Sequence, residues 1–363
     1  MRERMQQNMN PIVNVLQQFG IDAAALPHGN GHINNTFLVD SNPRVILQRI
    51  NTNVFKKPAE VMENIMAVTA HLRAKITENG GNPQKETLTF LTTKDGLPYY
   101  KTAEGDYFRA YYFVEDVVCL EVAKSPEDFA EVAHAFGRFQ RMLSDFPADQ
   151  LHETIERFHD TPNRFAQLEE AIAADRAGRV ASVQAEIDLC RKFQKYASAI
   201  VDGIADGTVP LRVTHNDTKL NNVLLDGETR KGICVIDLDT VMPGSLLYDF
   251  GDAMRTGAST GAEDEIDLDQ VQFDLAKFEA FTAAFIEELG DSMTAREREL
   301  LPLSALIITL EQGTRFLADH INGDVYYHIH RENHNLDRAR TQLKLVCEIE
   351  KLLPKMQEIV SKY

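Results

Sequence analysis

Two hydrophobic periodicities divide this chain, and the order in which they occur leaves few folds open. In the first 115 residues the apolar pattern mostly has the short, alternating form of half-buried strands. TFLVD at 36–40 and RVILQRI at 44–50 are joined by Ser41-Asn42-Pro43, a turn signal. LTFLTT at 88–93 and YYKTAEGDYFRAYYFV at 99–114 give three more strands, with turns at Asp95-Gly96 and Glu104-Gly105. One helical stretch, 58–75, stands among them, with Pro58 in a helix-start position. A shorter amphipathic segment at 11–19 precedes them all. Beyond residue 118 the period becomes helical over 126–145, 163–177, 183–204, 270–290, 294–312 and 336–360. A single β-rich island, 211–241, interrupts that series. The order β-β-α-β-β-β followed by helices around one hairpin predicts an α+β chain in two lobes. The first, 1–115, is a small antiparallel sheet with one helix; the second, 116–363, is larger and mainly helical.

Charge follows the same division. The net charge is −17, yet residues 1–118 carry twelve basic and twelve acidic side chains. The remaining 26 basic and 43 acidic groups supply the whole excess. A chain so acidic lacks the basic surface that neutralises phosphates, which excludes a general nucleic-acid binder and argues against an anionic membrane. No apolar run reaches the roughly 18–20 residues of a membrane span, and MRERMQQNMN is too polar for a secretory signal. The four cysteines, Cys119, Cys190, Cys234 and Cys347, form no CxxC pair and read as reduced thiols of a cytoplasmic protein. A monomer acting on small molecules is expected.

The island carries the chemistry. It reads His215-x-Asp217-x4-Asn222, then Asp237 at the end of an apolar run, with Asp239 two residues later. Phosphoryl transfer from a nucleotide needs these parts: a carboxylate to take the proton of the attacking hydroxyl, and an amide oxygen and a second carboxylate to hold Mg²⁺ on the phosphates. Asp217 is the candidate base, with Asn222 and Asp237 the metal ligands. In an extended strand Asp239 would face the same side as Asp237, where it could reach a second metal or support the first. His215 is expected to brace the loop. The acidic run at 262–269 lacks EF-hand spacing, and His328-x-His330-x3-His334 lacks a completed tetrahedral ligand set. Both read as polar loops.

HNDTKLNN at 215–222 together with IDLDTVMPGSLLYDFGD at 236–252 resembles the aminoglycoside phosphotransferase and choline kinase superfamily, which shares the protein-kinase-like fold. The Pro243-Gly244 turn and Asp249 match that family's tail, which implies that Asp249 supports the loop. Further segments resemble the N-acetylhexosamine 1-kinases: GNGHINNTFLV at 29–39, VILQRINTNVF at 45–55, FHDTPNRF at 158–165, TRFLADHINGDVYY at 314–327 and HNLDRARTQLKLV at 334–346. The resemblance implies ATP as co-substrate, one or two Mg²⁺ ions, and transfer to the anomeric hydroxyl of N-acetylglucosamine or N-acetylgalactosamine. It also implies that His32, Asp217, Arg315 and Tyr326 hold the sugar.

On the nucleotide side, Gly29, Asn30, Gly31 and Asn34 form a glycine-rich turn of the kind that lets backbone N–H groups approach phosphates; ordinary turns share that composition. Phe113 and Glu115 stand where a kinase-like hinge would meet adenine. Two departures stand out. Asn34 occupies the place of a third glycine, and Gln48 replaces the phosphate-gripping lysine of the third strand, as it does in the kinases this chain resembles. A kinase of the same fold acting on an aminoglycoside, choline or homoserine is the first alternative. A non-catalytic nucleotide-binding regulator is the second, motivated by Gln48.

Overall fold

The computed structural model describes residues 12–29 and 33–363, and each of its two compact units is taken in turn. The first comprises Met1–Val118, Gln150–Glu156 and Leu224–Met242. Its main sheet holds β1 (Ala25–Pro27), β2 (Asn35–Val39), β3 (Val45–Ile50), β4 (Tyr100–Lys101) and β5 (Tyr107–Tyr112), in the order β1-β2-β3-β5-β4. Every pairing is antiparallel. Because side chains alternate along a strand, Val45 and Leu47 of β3 share a face with Phe108 and Ala110 of β5. That face packs with Val39 and with Val15, Leu16 and Phe19 from and just beyond α1 (residues 12–18). Burying each large apolar side chain contributes about 1.5–3 kcal/mol. The opposite face carries Gln48 and Arg109 toward α2 (Pro58–Glu78), where Arg109 Nη1 lies 4.0 Å from Met62 Sδ.

LTFLTT departs from expectation. The segment makes only an isolated bridge, Phe90 to Tyr111, after a short helix, α3 (Pro83–Glu86), capped by Asn82. The edge of β5 explains this, since β4 takes Tyr107 and Phe108 and leaves only residues 110–112 to pair with 89–91. β1 was not anticipated in the sequence.

The later segment joins this unit because β8 (Val223–Asp226) and β9 (Gly232–Val235) complete a sheet with β6 (Val117–Cys119), in the order β6-β8-β9. Asp237 and Asp239 therefore fall in the first unit, whereas a division at residue 115 assigns them to the second.

The second unit comprises Cys119–Asp149, Arg157–Val223 and Pro243–Tyr363. Its helices are α4 (Pro126–Met142), α5 (Thr161–Ala174), α6 (Gln184–Phe193), α7 (Ala199–Ala205), α8 (Leu246–Gly257), α9 (Leu275–Leu289), α10 (Ala295–Asn322) and α11 (His334–Val360). α4 packs on α9, while α10 packs on α5, α8 and α11. Helix α8 is buried along nearly its whole length. It crosses α10 so closely that a Cβ on Gly251 would sit 2.6 Å from the Ser304 carbonyl oxygen. The expected helix at 183–204 is broken between α6 and α7 by a 3-10 turn at Gln194–Tyr196. α10 runs ten residues beyond its expected end, to Gly323 in the left-handed region (φ 96°). Among the described residues no helix is long and apolar enough to cross a membrane. The four thiols are free, and burial pushes those of Cys190 and Cys234 up to about 12.

Candidate active site

The residues of the His215–Asn222 loop lie in the second unit. β7 (Arg212–Thr214) delivers the chain to His215, and Asn216 then turns it through the left-handed region (φ 65°). Two backbone N–H groups in that turn find one acceptor: Asp249, in the first turn of α8, takes the N–H of His215 at 3.0 Å and of Asn216 at 2.7 Å. Gln140 of α4 donates to the same carboxylate at 2.5 Å. Burial pushes the Asp249 carboxyl up, against these donors and His215. Ser245 caps α8, and β10 (Met242–Gly244) ends beside the loop, where a Cβ on Gly244 would lie 2.3 Å from Thr214 Oγ1. The Pro-Gly turn thus ends on the one residue type that fits. His215 is fully buried, edge-on to Phe136 and Phe139, and its Nδ1 accepts the N–H of Asp217 at 3.3 Å.

Asp217 projects from this support. Lys219 Nζ lies 2.8 Å from one of its oxygens, and Asn222 donates to its carbonyl at 2.8 Å and to its carboxylate at 3.2 Å. Burial alone would raise the Asp217 carboxyl, but Lys219 outweighs it and holds the group below the usual carboxylate range. The acid is thus ionised at neutral pH, as a proton acceptor must be. With the Asn222 NH₂ group committed to Asp217, its carbonyl oxygen is the atom that would meet a cation. Asp252 holds the next turn by accepting the Thr218 N–H at 2.9 Å, and Arg255 bridges Asp252 to Glu263.

Asp237 and Asp239 are not two residues of one strand. β9 ends at Val235, Asp237 turns through the left-handed region (φ 59°), and Leu238–Thr240 form a 3-10 turn. The period-two alternation that would place both carboxylates on one side does not apply there. Asp239 is 3% exposed and pairs through Oδ1 with the buried Arg109 guanidinium. Its Oδ2 accepts from Asn34 at 2.5 Å. Asn64 of α2 donates to the carbonyls of Val241 and His152, fixing the stretch that follows.

Gln48 accepts two bonds from Arg109, at 2.9 and 2.8 Å, and donates to Thr36 at 3.1 Å. Gly29 has φ 73°, while Asn30, Gly31 and His32 lie outside the described residues. The N–H of Phe113 is taken by the Arg44 carbonyl, and Arg44 also covers the Phe113 ring and pairs with Glu115. The Glu115 side chain is therefore an ion-pair partner.

Of the residues proposed to hold a sugar, the structure brings Arg315 and Tyr326 into one neighbourhood. The Arg315 guanidinium lies 5.2 Å from the Phe158 ring centroid and 5.6 Å from that of Tyr327, with Gln312 accepting at 3.0 Å. Asp319 takes the N–H groups of Val325, Tyr326 and Tyr327, and Tyr326 is 63% exposed. Beneath them Glu311, fully buried, accepts from His159 at 2.9 Å and Thr161 at 2.7 Å. His334 pairs with Asp264, and among the described residues no group of three or more His, Cys, Asp or Glu could hold a metal. Glu263 and Asp264 are tied into ion pairs, which a simple solvated loop would not require.

Sequence reasoning missed Lys219, Arg109, Asp252 and Arg255. Lys219 was discoverable from its place two residues after Asp217, and Arg109 only from the strand register that sets it opposite Gln48.

Solved structures share this architecture. A microcompartment-associated aminopropanol kinase aligns with a TM-score of 0.61 at 18% identity, over 96% of this chain and 98% of its own. A spectinomycin phosphotransferase in complex with ADP and spectinomycin aligns at 0.55 and 14%, over 96% and 98%. A choline/ethanolamine kinase family protein from Mesorhizobium loti aligns at 0.56 and 16%, over 98% and 99%. At such identities these likenesses establish the fold: a small antiparallel sheet unit and a helical unit, as in protein kinases. Residues 24–286 match the profile of a phosphotransferase enzyme family. With most of its length matched, including the loop that carries Asp217, the chain belongs to the APH phosphotransferase enzyme family.

Proposed function

We propose that this protein is an ATP- and Mg²⁺-dependent kinase of small alcohols whose acceptor is the anomeric hydroxyl of an N-acetylhexosamine. The observation that carries the reaction class is Asp217, hydrogen-bonded to Asn222 and paired with Lys219 on a loop anchored by Asp249. Asp217 accepts the proton of the acceptor hydroxyl as its oxygen attacks the γ-phosphorus. The bond from that phosphorus to the bridging oxygen breaks, and the electron pair leaves with ADP. Lys219 keeps Asp217 ionised beforehand and offers a cation to the phosphoryl oxygens as the proton arrives. Asn222 and Asp237 present hard oxygen donors, the type Mg²⁺ takes alongside phosphate oxygens and waters. Mg²⁺ bound with the nucleotide would offset phosphate charge. The ADP bound to the spectinomycin enzyme supports an adenine nucleotide here.

The acceptor assignment rests on the segments resembling N-acetylhexosamine 1-kinases and on the Arg315 neighbourhood. A guanidinium flanked by Phe158 and Tyr327, with Tyr326 beside it, offers flat apolar walls and fixed donors, which suits a neutral sugar carrying an amide. An aminoglycoside remains the second reading, favoured by the acidity of the later residues. ADP release measured across N-acetylhexosamines, plain hexoses and aminoglycosides decides between them. Release with N-acetylhexosamines alone supports the proposal, release only with aminoglycosides establishes the second reading, and release with none overturns both.

A further inference from the structure

The face of the sheet that carries Gln48 holds a closed polar circuit in which no lysine takes part. Gln48 and Arg109 are directly paired across β3 and β5. Arg109 is 2% exposed; its Nε and Nη2 donate to Gln48 Oε1, and its Nη1 to Asp239 Oδ1. The other end of the Gln48 amide donates to Thr36 Oγ1 of β2. Asp239 Oδ2 accepts from Asn34, whose own oxygen accepts the N–H of Asn51 at 3.0 Å. One guanidinium thus joins β2, β3, β5 and the turn that carries Asp237. Burial opposes the charge on Arg109, but Asp239 more than offsets it, so the cation persists. A buried charge is retained only when paired and hydrogen-bonded, and both conditions hold.

Resting on the nucleotide-site reading above, we propose that Arg109 is the positioning cation of the nucleotide-binding unit, supplying from the neighbouring strand the charge that Gln48 lacks. It acts through Asp239. By holding that carboxylate against Asn34, it fixes the entry to β2 and the 3-10 turn that follows Asp237. Three of the five N–H donors of Arg109 are engaged by Gln48 and Asp239, and a fourth lies toward Met62 Sδ, so its effect on phosphates is exerted through these residues. Both oxygens of Asp239 are committed to protein.

The test is calorimetric titration of MgADP and of adenosine into the full chain, with circular dichroism to verify folding. Wild type is titrated first: absence of MgADP binding overturns the nucleotide-site reading and the inference with it. Given binding, Arg109→Gln is expected to weaken MgADP at least ~10-fold while adenosine binding holds, about 1.4 kcal/mol selective for the phosphates. The double variant Gln48→Lys/Arg109→Gln, with the charge moved one strand over, should return MgADP affinity to near the wild-type value. Asp237→Asn should abolish Mn²⁺ binding read by electron paramagnetic resonance with ADP present, and Asp239→Asn, which breaks the ion pair through which Arg109 acts, should weaken MgADP about as much as Arg109→Gln does. Folded Arg109→Gln that binds MgADP like wild type overturns the inference alone. If Arg109→Gln does not fold, the double variant decides, and a folded double variant without recovered affinity overturns it. A folded Asp239→Asn that binds MgADP like wild type also overturns it.

Discussion

Asp217 and Asp239 each have a basic partner, and these two pairs are built in opposite ways. Asp217 meets Lys219 two residues along the same loop, with the lysine side chain 45% exposed and the carboxylate 22%. Asp239 meets Arg109 across 130 residues of sequence, and the two side chains are 4% and 2% exposed. The first pair is local and wet, and its lysine can reorganise when a substrate arrives. The second is dry, with both Asp239 oxygens and three Arg109 donors already bonded. Its contribution is fixed geometry, and removing one partner strands a buried charge. The contrast fits the proposed roles, chemistry for the open pair and positioning for the closed one.

The largest effect that can break this contrast is on turnover. Asp217→Asn should lower kcat by about 10²–10⁴-fold, the usual share of a general base, with MgADP affinity and unfolding midpoint unchanged. Unfolding of that variant would make Asp217 a structural residue. At the closed pair the effect moves to stability. Asp239→Ala leaves Arg109 buried without its counter-ion and should cost about 3–5 kcal/mol in urea unfolding, the range for a broken buried pair. Wild-type stability in Asp239→Ala would show that the circuit is not a fixed frame.

Glu311 gives an intermediate case. Burial alone would raise its carboxyl, but His159, Thr161 and Arg315 outweigh burial and hold it below its ordinary value. A carboxylate so depressed stabilises the fold above its unfolded value of about 4.3 and loses that contribution as the pH falls through the folded value. Glu311→Gln should therefore destabilise the protein near neutrality by about 1–3 kcal/mol. The variant should also lose stability less steeply below pH ~4.3 than wild type does. The smallest effect belongs to a surface pair, Arg44 and Glu115, whose side chains are 41% and 45% exposed. Glu115→Ala should leave the unfolding midpoint indistinguishable from wild type.

What was legible in the sequence follows the same line between local and distant. Asp217, Asn222 and Asp249 could be picked out because their motif is nearly contiguous and the support for the loop lies one short helix away. Helix α2 and strands β2, β3 and β5 followed from periodicity and turn signals. Arg109 was invisible because nothing in the sequence sets the register of β3 against β5. The relation of Asp237 to Asp239 was misread because a left-handed residue leaves no mark on hydrophobic alternation. LTFLTT alternates as a strand should, yet the edge it would pair with is shared with β4.

The proposed transfer places phosphate on an anomeric hydroxyl. Its most direct test is the proton-coupled phosphorus NMR spectrum of the product formed from MgATP and N-acetylglucosamine or N-acetylgalactosamine. The expected product carries a phosphate coupled to the single proton on C1, with the signal absent in Asp217→Asn. A phosphate coupled to the two protons on C6, or no sugar phosphate with either substrate, would contradict it.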